Sequence, residues 1–285
     1  MASMRDIKRR KQSIQSTGQI TKAMKLVSTV RFQKAKSKAE NAKPYFDHMY
    51  EAVFSILGKS QNIQHRYLTP GNSDKKAVIV VTANRGLAGG FNTNITKLIT
   101  RGEFAKEDIV VYAVGRKGRD ILKRRGYKVV ADFSDVINEP TYSDAMQIGQ
   151  EVLDAFAKGE IGEIYMAYTS YKNTVSHTEK LIKLLPVESD ASEEENDKFS
   201  APMNYENDEE ETLDIIIPKY INSLIYGALM ESVASENAAR MTAMDNATNN
   251  AEEMISELAL KYNRARQGSI TQELTEIIGG ANAIS

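Results

Sequence analysis

Residues Leu258–Ile284 read LALKYNRARQGSITQELTEIIGGANAI. Apolar residues fall at Leu258, Tyr262 and Ala265, then at Ile270, Leu274, Ile277 and Ile278. This spacing predicts a helix with one continuous apolar stripe, stopping at Gly279-Gly280. A polar belt interrupts the stripe at Arg266, Gln267, Ser269, Thr271, Gln272 and Glu273. A helix patterned in this way is expected to touch a partner.

Upstream, Ala251, Ile255, Leu258, Tyr262 and Ala265 are spaced 4, 3, 4 and 3, the interval of a coiled-coil seam. The helical pattern extends back to about Thr212, disturbed only by Pro218 and Gly227. Ala228, Ala234, Ala238, Ala239, Ala243 and Ala247 make this helix thin enough for close approach. The other end of the chain mirrors it. From about Ser3 to Ser60 there is one proline, Pro44, where a kink is expected. Ile7, Ile14, Ile20, Met24 and Val27 mark its apolar face, continued by Ala35, Ala39 and Ala42 and, after Pro44, by Tyr45, Met49, Val53 and Ile56. At about 1.5 Å per residue the two helices would reach about 80 and 100 Å. Long helices with one apolar stripe stabilise by pairing, and each is the other's natural antiparallel partner.

Between them the period changes. Residues 59–76 form a polar linker with Pro70-Gly71 as a turn signal. AVIVVT (77–82), IVVYAV (109–114), YKVV (127–130) and IYMAYT (164–169) read as buried strands, with Ser176–Leu185 a further candidate. Asn92–Thr100, Lys117–Arg125 and Ser143–Lys158 read as intervening helices. Alternation of this kind predicts a mostly parallel, Rossmann-like sheet. The expected division is residues 1–58 helix, 75–187 α/β domain, 188–211 acidic loop and 212–285 helix.

The formal net charge of −1 hides segregation. Residues 1–43 carry twelve Lys/Arg against Asp6 and Glu40, a net of +10; residues 188–214 carry twelve Asp/Glu against Lys198, a net of −11. Blocks like these concern partners and solvation rather than fold. The acidic stretch cannot bury enough apolar surface to offset chain entropy and reads as a loop. Absence of cysteine excludes disulfide and thiolate chemistry. No apolar run approaches the roughly 20 residues of a membrane helix, and no signal-peptide pattern follows the basic start.

The turn Ala83–Asn92, ANRGLAGGFN, follows a strand and opens a helix, as a phosphate loop would. Its spacing is GxxGG, not GxGxxG, no Gly-Lys-Ser/Thr follows, and Asp108 precedes the next strand instead of ending it. His48, His65 and His177 lie far apart in sequence, without metal-ligand spacing, and no Gly-x-Ser-x-Gly elbow occurs. No catalytic, metal or cofactor site is expected. Two alternatives remain at this point: a nucleotide-binding α/β enzyme, and a basic coiled coil on nucleic acid. Against the second, Phe32 is the lone aromatic in the basic helix before Tyr45.

Four segments carry a resemblance. Gln19–Val27 reads QITKAMKLV, Asn84–Asn92 reads NRGLAGGFN, Ser235–Met244 reads SENAARMTAM and Tyr262–Gly280 reads YNRARQGSITQELTEIIGG. In these motifs and in their order the chain resembles the γ subunit family of F-type ATP synthases. The resemblance implies an antiparallel coil of the terminal helices inside a ring of three α and three β subunits. It implies an α/β domain against the ε subunit and the membrane c-ring, and a non-catalytic shaft coupling ion flow to ATP synthesis or hydrolysis by rotation. Residue by residue, it implies Met24 and Lys25 near an acidic lever loop of β, and Arg31 and Lys36 on a basic track facing the ring. Arg266, Gln267 and Thr271 correspond to contacts with a catch loop of β. Arg240 and Glu273 correspond to polar positions where the helices meet each other or β. Tyr205-Glu206 resembles a pair near the c-ring, with Asn207 where proline is common. The implied location is the cytoplasmic side of a bacterial cell membrane, peripheral and held through the complex.

Overall fold

The computed structural model describes residues 4–59, 65–173, 177–187 and 209–284. The elements follow the order α1 (Met4–Lys59), β1 (Lys76–Val81), α2 (Phe91–Thr100), β2 (Ile109–Val114), α3 (Arg116–Arg124), β3 (Lys128–Asp132), α4 (Tyr142–Ala157), β4 (Glu163–Tyr171), β5 (His177–Leu185) and α5 (Glu209–Ile284). Helix α1 runs through Pro44 without a break, and α5 runs through Pro218 and through Gly279-Gly280, where a stop was expected. A glycine weakens a helix by about 1 kcal/mol without forbidding it, so two near the end do not terminate it. Helix α5 begins three residues before the expected Thr212; the rest of the acidic segment, 188–208 with Tyr205-Glu206, lies outside the described residues.

The chain divides into two compact units, Thr29–Ala239 and Met1–Ser28 with Arg240–Ser285. Helices α1 and α5 contribute to both.

In the larger unit five strands lie in the order β3-β2-β1-β4-β5, the first four parallel and β5 antiparallel on β4. Strands β1 and β2 are near-continuous apolar runs because both faces are covered. On one face, Ile95 and Ile99 of α2 and Leu122 of α3 pack on Val78, Val80, Val111 and Ala167. On the other, α4 (Ile148, Val152) joins parts of both long helices: Phe32, Ala35 and Val53 of α1, and Leu213, Ile217, Ile221, Ile225, Leu229 and Val233 of α5. The first half of α5 is thus a core helix of the α/β unit rather than a coiled-coil strand. Its buried residues Leu213, Ile217, Tyr220, Ile221 and Ile225 follow the 3.6-residue period of a helix with one face on the core, and from Ala228 to Ala238 burial spreads to most of its circumference. Thr141 caps α4 reciprocally with Asp144.

The smaller unit is an antiparallel pair. Met4, Ile7, Lys11, Ile14, Gly18, Thr21, Lys25 and Ser28 of α1 are buried or half-buried at alternating spacings of 3 and 4. Met244, Thr248, Ala251, Ile255, Leu258, Tyr262, Ala265 and Ser269 do the same on α5. A Cβ built on Gly18 would lie 3.3 Å from that of Ala251. The Thr21 and Thr248 hydroxyls share a buried 2.8 Å hydrogen bond, and Lys25 Nζ lies 2.6 Å from Asp245 Oδ1. The seam therefore contains small and polar layers at its middle.

This phase corrects two sequence expectations. Ile20 and Val27 were placed on the apolar face of α1 but are 57% and 55% exposed. Each precedes a seam residue by one position, about 100° around the helix. On α5 the stripe serves as a seam only to about Ala265. Ile270, Leu274, Ile277 and Ile278 are exposed, because with this pairing Met4 lies level with about Ala265 and α5 continues for about 28 Å beyond.

Candidate partner-contact surfaces

The polar belt lies on that protruding part of α5. Arg266, Gln267, Thr271 and Glu273 are all exposed. Within the helix, Thr271 Oγ1 donates to the Gln267 carbonyl at 2.9 Å, and Ser269 Oγ to Glu273 at 3.4 Å. Exposed aliphatic residues lie among and beyond them. The segment offers hydrogen-bonding groups and apolar surface together, which is the composition of a protein contact.

The residues of α1 implied as partner contacts divide into two groups. Met24 is half-buried, and Lys25 is turned into the seam by Asp245. Ile20, Leu26 and Val27 present outward beside it; sequence reading missed this, and only the heptad phase of Gly18, Thr21 and Lys25 could have revealed it. Arg31 and Lys36 are exposed, and Lys36 sits 3.6 Å from Glu40 one turn on. Nearby, Lys34 Nζ is 2.5 Å from Glu139 and holds that carboxylate below its ordinary range, with Lys38 and Arg31 contributing. Arg240 differs from the other implied contacts in being buried, at 8% exposure.

In a sheet of this order the ligand crevice lies outside the carboxyl ends of β1 and β4, where the strand order reverses. Helix α5 fills it. Ser235 Oγ donates to the Thr169 carbonyl, the Thr169 amide donates to Ser232 Oγ, both at 3.3 Å, and Ala239 packs on Ala83, Ala88 and Phe91. The histidines stay apart: His65 binds Asp214 at 3.1 Å, His48 lies 3.4 Å from Glu51, and the His177 ring lies against that of Tyr171. Among the described residues no group of three His, Cys, Asp or Glu side chains is placed to hold a metal, and no helix is long and apolar enough to cross a membrane.

A Rossmann-like unit with α5 packed over the carboxyl ends of its central strands, together with an antiparallel helix pair, defines the class of the chain: an α/β unit carried on two long terminal helices. The model of the ATP synthase family matches residues 3–284. The ATP synthase gamma chain of Lachnoclostridium phytofermentans is 68% identical over the full length of both chains. A chain of the Tetrahymena thermophila mitochondrial ATP synthase central stalk and c-ring structure superposes with a TM-score of 0.60 at 25% identity, covering 80% of this chain and 99% of that one. A chain of the Euglena gracilis mitochondrial ATP synthase gives 0.68 at 19% identity, covering 99% and 94%, which supports the fold. The chain belongs to the gamma subunit family of F-type ATP synthase.

Proposed function

We propose that this chain is the central rotor shaft of an F-type ATP synthase. It sits with its helix pair inside a ring of α and β subunits and its α/β unit against the ε subunit and the c-ring. Rotation of the shaft couples ion flow through the c-ring to ATP synthesis or hydrolysis on the β subunits, and this chain performs no chemistry. It is peripheral to the cytoplasmic face of a bacterial membrane and held there by the complex. The observation that carries this reading is the helix pair whose longer member continues past the other, exposing aliphatic residues and a polar belt that no other element covers among the described residues.

Weak contacts suit a surface that meets three copies of a partner in turn. A single contact of 3–5 kcal/mol would slow escape from one angle by roughly 100-fold or more, whereas exposed ion pairs contribute about 0–1 kcal/mol. Arg266, Gln267 and Thr271 take the catch-loop role, Glu273 a separate polar contact with β, Arg31 and Lys36 the basic track, and Met24 with the outward face beside it the lever-loop contact. The test is co-purification: a tagged chain should bring down α, β and ε subunits. Replacing Arg266 and Gln267 together by Ala should weaken assembly or coupling while the chain keeps its fold. Unchanged assembly and unchanged ATP synthesis would remove the catch-loop role.

A further inference from the structure

His177 stands opposite Tyr171 in the last pair of the β4–β5 ladder. Its ring centre lies 6.1 Å from that of Tyr171, and the Tyr171 ring lies 5.4 Å from that of Phe32. Phe32 is buried in the main core and sits in the first turn of α1 within the α/β unit, which begins at Thr29. Three rings thus run in a chain from the end of the ladder to α1. The last pair of a ladder is the one that opens most easily, so the chain of rings has a weak end at His177.

The Nδ1 atom of His177 is buried and has no hydrogen-bond partner among the described residues. The other two histidines differ, since His48 and His65 each face a carboxylate, Glu51 and Asp214. A bare ring nitrogen in that position costs little, but the imidazolium carries an N–H on both nitrogens, and a charged donor buried without an acceptor is costly. Burial accordingly holds the His177 pKa below its ordinary value of 6.5, and the Glu179 carboxylate, two residues along β5, opposes this without cancelling it. Glu179 itself accepts a 2.9 Å hydrogen bond from Asn94 Nδ2 of α2. On β4 the titratable group against the ring is Tyr171, and α1 brings the uncharged Phe32 to the chain of rings.

We infer that His177 is an acid-sensitive clasp: its neutral ring, through Tyr171 and Phe32, ties the β4–β5 pair to α1, and a proton on the buried nitrogen loosens that tie. The sign follows from linkage. A histidine whose folded pKa lies below the unfolded one contributes stability that is present above about pH 6.5 and is lost as pH falls through the folded pKa. To place its second N–H in water the cation must turn off Tyr171, which removes one side of the packing around Phe32. The clasp is a property of this chain alone, so its test does not depend on the rotor reading.

The test is amide hydrogen exchange on the full chain at about pH 7.5 and about pH 5.5, corrected for the intrinsic pH dependence of exchange, with a proton NMR titration of the His177 ring. Protection of residues 29–36 and 168–173 should fall about threefold or more at the lower pH, while residues 148–156 of α4 keep theirs. His177→Phe, which keeps a ring and cannot titrate, should show the same protection at both pH values. His177→Gln should be less protected than the parent at the higher pH and equally independent of pH. Glu179→Gln removes the carboxylate that favours the cation and should enlarge the acid loss. An equal acid loss in the parent and in His177→Phe would overturn the inference, as would a parent with no acid loss. So would a loss that reaches α4 to the same extent, which marks general acid unfolding. The titration needs no variant: a His177 pKa at or above about 6.5 in the folded parent would also overturn it.

Discussion

The two units are stabilised by different chemistry. In the α/β unit the contact between α5 and the sheet is made by Leu213, Ile217, Ile221, Ile225 and Leu229, each no more than 1% exposed. In the helix pair, the same α5 meets α1 through Ala251 on Gly18, Thr248 on Thr21 and Asp245 on Lys25. Burying a Leu or Ile side chain contributes about 1.5–3 kcal/mol, while a hydrogen bond contributes a net of about 0.5–1.5. One helix therefore passes from a strongly held region to a slim, weakly held one. A narrow seam permits close approach of the helices, and its cost is low intrinsic stability, consistent with a segment that works surrounded by partner subunits.

The largest effect that would expose this contrast lies in the α/β unit. A Cβ added at Gly115, whose φ is 107°, would stand 1.9 Å from the backbone oxygen of Thr82, and at Gly149 one would stand 2.0 Å from Asn222 Oδ1. Gly115→Ala should destabilise this unit by about 3–5 kcal/mol, since backbone strain and overpacking add. Gly149→Ala should cost about 1–3 kcal/mol, because the Asn222 side chain can turn aside. Urea titration followed by far-UV circular dichroism measures both. A Gly115→Ala protein as stable as the parent would contradict the packing described.

Smaller effects belong to the seam. Thr21→Val alone leaves the buried Thr248 hydroxyl without its cross-helix partner and should cost about 1 kcal/mol. Thr21→Val with Thr248→Val removes both groups and should be near neutral. Hydrogen exchange at residues 14–28 and 241–258 reports the difference, and equal protection in both variants would show the pair to be incidental. Lys25→Glu places two carboxylates together and should loosen the same stretch, while Lys25→Glu with Asp245→Lys should restore it. A coupling defect that persists in the restored double variant would show that Lys25 acts on a partner instead.

The smallest effect is a pH dependence. Burial tends to raise the Glu163 pKa, but hydrogen bonds from Lys76 and Lys183, at 2.8 and 3.1 Å, outweigh it and hold the carboxyl below its ordinary value. A folded pKa below the unfolded one gives stability that is present above about pH 4.3 and is lost as pH falls through the folded pKa. Glu163→Gln should lower stability at pH 7 by about 0.5 kcal/mol and flatten its decline below about pH 4.3. An unchanged pH profile would remove Glu163 from the account.

How much of this was legible in the sequence depends on the element. The strands were legible because buried parallel strands are runs such as AVIVV and IVVYAV, which no helix period imitates. The terminal helices and their antiparallel pairing were legible from length and spacing. The phase of the pairing was not. Apolarity pointed to Ile20 and Val27, whereas the seam runs through Gly18, Thr21 and Lys25, and hydrophobic patterning cannot see a seam made by small and polar groups. The double role of α5 was hidden for a related reason: an apolar period reads alike whether it faces a sheet or a helix. The polar belt was legible as exposed, but Arg240, equally polar in sequence, is buried, since burial of one arginine is decided by tertiary contacts.

The rotor role is tested most directly by watching the chain turn. It has no cysteine, so Glu107→Cys in an exposed turn of the α/β unit takes a single label. With the α and β subunits fixed to a surface and ATP supplied, a bead on that label should rotate in one direction and pause at three angles per turn. A bead that stays fixed while the complex hydrolyses ATP at its full rate would contradict the account.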